Sequence, residues 1–238
     1  MPSNARSEAA LAAALPVPIE VRPMRSARRL RLRFDESSGT LKLTCPALMS
    51  RRSALAWALD QREWIESQLV RSLPAEPFAP GTVIPLEGRD VRIVWDEREP
   101  RRPRLEGDEL YCGGPPQGLA RRIESFLKAL ALETMSAEVG EFADGAGIEA
   151  GPVSIGDAGT RWGSCSSHGR IRLSWRLILA PPQARRYVVA HEVAHLKHLN
   201  HSAEFKAFEA KLFGPGISEA KAALRRVGPR LRRIGRRV

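Results

Sequence analysis

Apolar and polar residues alternate along some stretches of the chain and recur at helical spacing along others, which predicts a protein of mixed helix and strand. The first alternation is Arg29-Leu30-Arg31-Leu32-Arg33-Phe34, with leucines and Phe34 on one side and arginines on the other, the period of a half-buried strand. Glu36-Ser37-Ser38-Gly39 is turn-like, and Leu41, Leu43 and Cys45 continue the alternation, so a hairpin with one basic face is expected. Ser50 can cap a helix running to about Leu73, with Leu55, Leu59, Trp64, Ile65 and Leu69 as its apolar positions. Pro74, Pro77 and Pro80 read as a linker. A second hairpin centres on Glu87-Gly88, and the charged segment 97–108 reads as an exposed loop. After Gly113-Gly114-Pro115-Pro116 the period changes, and 119–139 reads as one long helix burying Ile123, Leu127, Leu130, Leu132 and Met135.

A short strand is expected over 152–155 and a longer one over 170–178, where Ile171, Leu173, Trp175 and Leu177 alternate with Arg170, Arg172, Ser174 and Arg176. Ser166 to Gly169 would be the turn joining this strand to the Trp162 region. Ala180-Pro181-Pro182 then starts a helix, proline being tolerated in a first turn. Its Tyr187, Val188, Val189, Val193, Ala194 and Leu196 are apolar nearly all round, so it should be largely buried. Asn200 can take the left-handed conformation that ends such a helix. There is no internal repeat.

That buried helix carries the chemistry. It contains His191-Glu192-x-x-His195, and His201 follows six residues beyond His195. Residues four apart share a helix face, so His191 and His195 can hold one metal ion, and Glu192 beside them can take a proton from water polarised by that ion. The chain has five histidines, and four fall within 187–205. A turn at Asn200 would let His201 swing back to the metal, and three histidines leave one tetrahedral position open, as in catalytic zinc sites. Alternatives for further ligands are His198, on a neighbouring face; Glu204 or Glu209, with poorer spacing than His201; and Cys165, an isolated cysteine more often buried as a small hydrophobe.

Composition narrows the partners. The chain of 238 residues is 43% apolar and 27% charged, ordinary for a soluble globular protein, and no apolar run is long enough to span a bilayer. The alanine-rich stretch 9–15 is too short, and too soon followed by Pro16 and Pro18, to read as a signal peptide. Three widely spaced cysteines fit reduced thiols and a cytoplasmic location. The net charge of +11 rests mostly on arginine and favours anionic partners, although an arginine-biased composition accounts for much of it. The last fourteen residues hold seven arginines and read as a solvated tail able to touch nucleic acid.

RWGSCSSHGRIRLSWRLILAPP followed by HEVAHLKHLNHSAEF resembles the YgjP-like family, relatives of the SprT-type zinc metallopeptidases, and the similarity runs from about residue 19 to 226. The resemblance implies an α+β, zincin-like core of small sheet, backing helix and active-site helix, here preceded by a β-hairpin-rich N-terminal part. It implies His191, His195 and His201 as Zn2+ ligands and Glu192 as the catalytic carboxylate. The organisation expected is a disordered arm over 1–18, a hairpin and helix region over 19–112, a catalytic region over 117–226 within one family domain spanning 19–226, and a basic tail over 227–238.

In zincins a strand beside the active-site helix pairs with extended peptide, and 170–178 is the candidate here. Trp162, Ser164, Arg172 and Ser174 are the candidate substrate-binding residues. The function expected is a zinc metallopeptidase acting on peptide or protein. The alternative is a nucleotide hydrolase, since a YgjP-like member has been assigned uridine triphosphate pyrophosphatase activity and arginine-rich hairpins could hold phosphates. Against it stands the lack of a P-loop or of a carboxylate cluster for magnesium. Glu192 argues against a third reading, a non-catalytic metal-binding adaptor.

Overall fold

The computed structural model describes residues 2–35, 38–72, 75–157 and 161–236. The chain divides into two compact units, Met1–Leu73 and Pro74–Val238. The division puts the second hairpin in the same unit as the later helices, whereas the sequence had grouped it with the first hairpin.

In the first unit, β2 (Arg31–Asp35) and β3 (Thr40–Pro46) pair antiparallel with Phe34 opposite Leu41, as the alternation predicts. Glu36 and Ser37 of the expected turn lie outside the described residues. Leu41, Leu43 and Cys45 are fully buried, while β2 keeps Leu32 and Phe34 half-buried and Arg31 and Arg33 exposed. A strand that the pattern did not reveal, β1 (Ile19–Met24), pairs parallel to the other edge of β3. The expected disordered arm is instead helix α1 (Pro2–Ala13), a run rich in strong helix formers that ends at the buried Leu15. The Arg62 guanidinium donates to the Ala14 carbonyl.

The helix expected over 50–73 breaks at Gln61 into α2 (Arg51–Asp60) and α3 (Arg62–Ser72). Ser50 caps α2 by accepting from the Ser53 N–H at 3.1 Å. The break turns the chain so that Ala54 and Ala58 of α2 and Ile65 of α3 reach one core.

The second unit opens with β4 (Val83–Leu86) and β5 (Arg89–Trp95), joined by Glu87 and Gly88 at φ of 50° and 85°, a pair of left-handed residues that matches the strand twist. The segment expected as a loop contains β6 (Arg104–Glu106), which pairs with β7 (Glu109–Cys112), and the sheet order is β4-β5-β7-β6. The long helix α4 (Leu119–Ala146) overruns its expected end and stops at Gly147, φ 64°. Ile123, Leu127 and Met135 are fully buried, but Leu132 is 41% exposed, because its position falls on the outer face.

β8 (Val153–Gly156), β9 (Gly163–Cys165) and β10 (Ile171–Ser174) form a second sheet in the order β8-β10-β9. The strand expected to reach Ile178 ends at Ser174. Trp175–Leu179 winds into a 3-10 helix with every residue buried, so the alternation there did not separate an inner from an outer side. Arg176 is held inside by Asp157, at 2.7 Å from Nε, and by the carbonyls of Leu231 and Ile234.

Helix α5 (Pro182–Ala194) then runs through the core against α4. The buried Arg185 fixes it there through hydrogen bonds of 2.9 and 3.1 Å to Glu138 of α4. α6 (Ala203–Phe213) and α7 (Ile217–Leu231) complete the unit. The expected basic tail is therefore ordered as far as Arg236. Ala220, Leu224, Leu231 and Ile234 bury its apolar side, and Ile234 bridges to Glu76. Residues 237–238 lie outside the described residues. Among the described residues, no helix is long and apolar enough to cross a membrane.

Candidate active site

α5 delivers His191 and Glu192 from its last turn and His195 from the position that caps it. The chain then tightens through a turn in which the His198 N–H bonds the Ala194 carbonyl at 3.1 Å. Asn200 is not left-handed, as expected, since Glu87 is the one non-glycine residue with positive φ among the described residues. Its side chain instead accepts from the Ser202 N–H at 3.3 Å, an Asx-type turn. Ser202 in turn caps α6 by accepting from the Phe205 N–H at 3.3 Å. These two side-chain bonds carry His201 back toward α5.

The three imidazoles converge. Ligand atoms of His191, His195 and His201 all lie within 4.8 Å of one another, and Nε2 of His201 is 3.2 Å from Nε2 of His191. Phe205, fully buried, packs against all three rings at centroid distances of 5.1, 4.6 and 4.9 Å. It acts as the floor on which the cluster is assembled.

Each helix histidine has its other nitrogen committed. His191 Nδ1 donates to Glu209 Oε1 at 2.6 Å, and His195 Nδ1 donates to the His198 carbonyl at 3.0 Å. That fixes the tautomer in which Nε2 keeps its lone pair, the arrangement that orients histidine toward a metal. Burial lowers the pKa of His191, with Glu209 pulling the other way, so burial favours the neutral, ligating form. The donor set thus fits a borderline-soft divalent cation such as zinc.

Glu209 was weighed from sequence as a third ligand. The structure gives it a different part: its buried carboxylate accepts from both His191 and the Tyr187 hydroxyl, the latter at 2.9 Å, with Lys221 Nζ at 3.7 Å. Burial alone would push its carboxyl up, but those donors and charges hold it below the usual range. Neither Glu204, His198 nor Cys165 joins the cluster among the described residues. Glu204 is exposed, and the His198 ring lies edge-on to Phe208 at 5.7 Å. Burial, and then the charge of Glu192, raise the Cys165 thiol.

Glu192 is 5% exposed. Burial pushes its carboxyl up to about 7, with the Arg161 cation pulling it down; a divalent cation at the histidines would add to that pull. Strand β9 is pressed against it, so that a Cβ added at Gly163 would lie 2.4 Å from Oε1. β9 is an edge strand, whereas β10 is flanked on both sides by β8 and β9. The strand expected to pair with substrate therefore has no free edge, and the edge beside α5 belongs to β9.

Trp162, Ser164, Arg172 and Ser174 all line one cavity, together with Arg161, which had not been singled out from the sequence. Phe205 was missed because an aromatic near the start of a helix has no pattern that marks it as a floor.

A family model described as YgjP-like, metallopeptidase domain, matches residues 28–227. No curated protein matches the chain. Among solved structures, the crystal structure of the metallopeptidase zymogen of Pyrococcus abyssi abylysin is similar over 42% of this chain and 97% of that chain, at 24% identity and a TM-score of 0.36.

Proposed function

The chain belongs to the YgjP-like family through its metallopeptidase domain, and on that premise we propose that this metal-dependent peptidase holds Zn2+ on His191, His195 and His201 and uses Glu192 as its proton carrier. The observation that carries the reading is the convergence of three imidazoles, two of them oriented through Nδ1, beside a buried carboxylate. When bound, zinc would supply Lewis-acid polarisation of a carbonyl and of water.

The protein supplies the rest. Glu209 and the His198 carbonyl orient the ligand rings, and Phe205 fixes their mutual approach. Glu192, in a water-poor setting, takes a proton from the attacking water at its carboxylate and passes it to the leaving amine. β9 offers its free edge to an extended substrate, whose backbone groups it would pair by strand addition. The free thiols of Cys45, Cys112 and Cys165 fit a reducing, cytoplasmic setting.

The test is hydrolysis by the zinc-loaded protein of an unfolded polypeptide, set beside uridine triphosphate. Cleavage of the polypeptide is the expected result. Turnover of the nucleotide alone would replace this reading with the pyrophosphatase one.

A further inference from the structure

Beside β9 lies a cavity of about 250 Å³, lined by Arg161, Trp162, Gly163, Ser164, Arg172 and Ser174. Gly163 is the residue that touches Glu192, so the cavity opens next to the reacting centre.

Its chemistry is that of an anion receptor. Arg161 and Arg172 are exposed and form no ion pair or hydrogen bond among the described residues, although the Arg161 charge also acts on the Glu192 carboxyl. Asp157 lines a neighbouring cavity together with Arg172, but Arg176 holds both of that carboxylate's oxygens, at 2.7 and 3.1 Å. Ser174 is 3% exposed, and its hydroxyl has no hydrogen-bond partner among the described residues. A buried hydroxyl is costly to leave unpaired, and Ser174 forms part of the cavity wall.

The walls are fixed in place. The Arg232 guanidinium covers the Trp162 ring at 4.7 Å, and Gly228 packs so closely that a Cβ there would meet the ring at 3.1 Å. Arg172 lies against Gly156, where a Cβ would come within 2.4 Å of Nε. Two guanidinium groups lining one cavity with fixed walls match a carboxylate, which accepts from both. The volume is ample for one acidic group.

We propose that this cavity is a carboxylate subsite of the peptidase, reading either an Asp or Glu side chain or the terminal carboxylate of the substrate beside the scissile bond. The proposal rests on the peptidase reading above, and its test separates the two.

Binding is measured on the zinc-loaded Glu192→Gln protein, in which turnover should be slower by about 10²–10⁴-fold. The probes are short capped peptides carrying Glu or Gln at each position in turn, and one sequence with a free or an amidated C-terminus. At least one acidic member should bind roughly tenfold tighter than its neutral partner, the worth of a charged hydrogen bond. The arm that shows the preference identifies the source of the carboxylate. Arg161→Gln with Arg172→Gln should bring the ratio close to one, and Arg172→Lys should keep part of it. Equal binding within every pair overturns the proposal, as does a preference that survives removal of both arginines, or uridine triphosphate displacing the acidic peptide at lower concentration. An acidic preference without cleavage of any peptide by the unsubstituted protein leaves the subsite standing and sinks the peptidase reading.

Discussion

Gly163 on β9 and Glu192 on α5 are packed so tightly that one methyl group between them would stand 2.4 Å from Oε1, 2.7 Å from Cγ and 2.8 Å from Cδ of the glutamate. The strand edge and the Glu192 carboxylate, the proposed proton carrier, are therefore positioned by each other. Gly163→Ala should displace Glu192 while leaving the histidines in place. Misplacing a reacting group by about 1 Å can cost on the order of a hundredfold, so kcat should fall by about that factor with metal content unchanged. A variant of full activity would mean that Glu192 yields to the methyl at no cost.

His201 and His198 differ in what their loss should do. His201→Ala removes a ring from the converging cluster, and zinc measured per chain after dialysis should fall. His198→Ala should leave it unchanged, because His198 serves His195 through its backbone carbonyl and not its ring. The reverse pattern would exchange their assignments.

Glu209→Gln keeps an acceptor for His191 but removes the negative charge that raises the ring's basicity. Partners of this kind are typically worth about 10–100-fold in metal affinity, so competition with a chelator should show a loss in that range. Circular dichroism should stay unchanged, since glutamine keeps the volume and an oxygen acceptor at this buried position.

The first hairpin could be read from sequence because a period-two pattern reports one buried face, and the metal helix because an all-round apolar run carries His191 and His195 four apart. Where burial is complete or shared, the pattern misleads. Trp175 to Leu179 kept alternating on paper, yet all five residues are inside, Arg176 included, because its charge is met by Asp157 and two carbonyls from the end of the chain. The same contacts explain why an arginine-rich C-terminus folds: the segment is amphipathic over distances that a residue-by-residue charge count does not register. His201 was legible from its spacing, but not the route to it, which runs through the Asn200 and Ser202 side chains rather than a left-handed turn. Glu209 and Phe205 lie 18 and 14 residues beyond His191 and are joined to it only by tertiary contact, so spacing alone could suggest ligands but not supports.

The Asp157–Arg176 pair predicts a pH dependence. Burial resists ionisation of Asp157, but the hydrogen bonds and charge of Arg176 outweigh it and hold the carboxyl below its ordinary 3.8. A depressed folded value means stabilisation that is complete above the ordinary range and lost as pH falls through the folded value. Asp157→Asn should cost about 1–2 kcal/mol at neutral pH, a buried-pair loss discounted for the partial exposure of the carboxylate. Thermal unfolding of the two proteins should converge as the pH falls below about 4. A constant difference across that window would show that the pair contributes through packing alone.

The central claim is that Glu192 carries the proton for hydrolysis at a metal held by His191, His195 and His201. Peptide hydrolysis by Glu192→Gln, with zinc per chain confirmed equal to that of the unsubstituted protein, tests it most directly. General acid–base catalysis is typically worth about 10²–10⁴-fold, and a loss of that size at full zinc loading is the predicted result. Hydrolysis at the unsubstituted rate by a fully zinc-loaded Glu192→Gln protein would contradict the account.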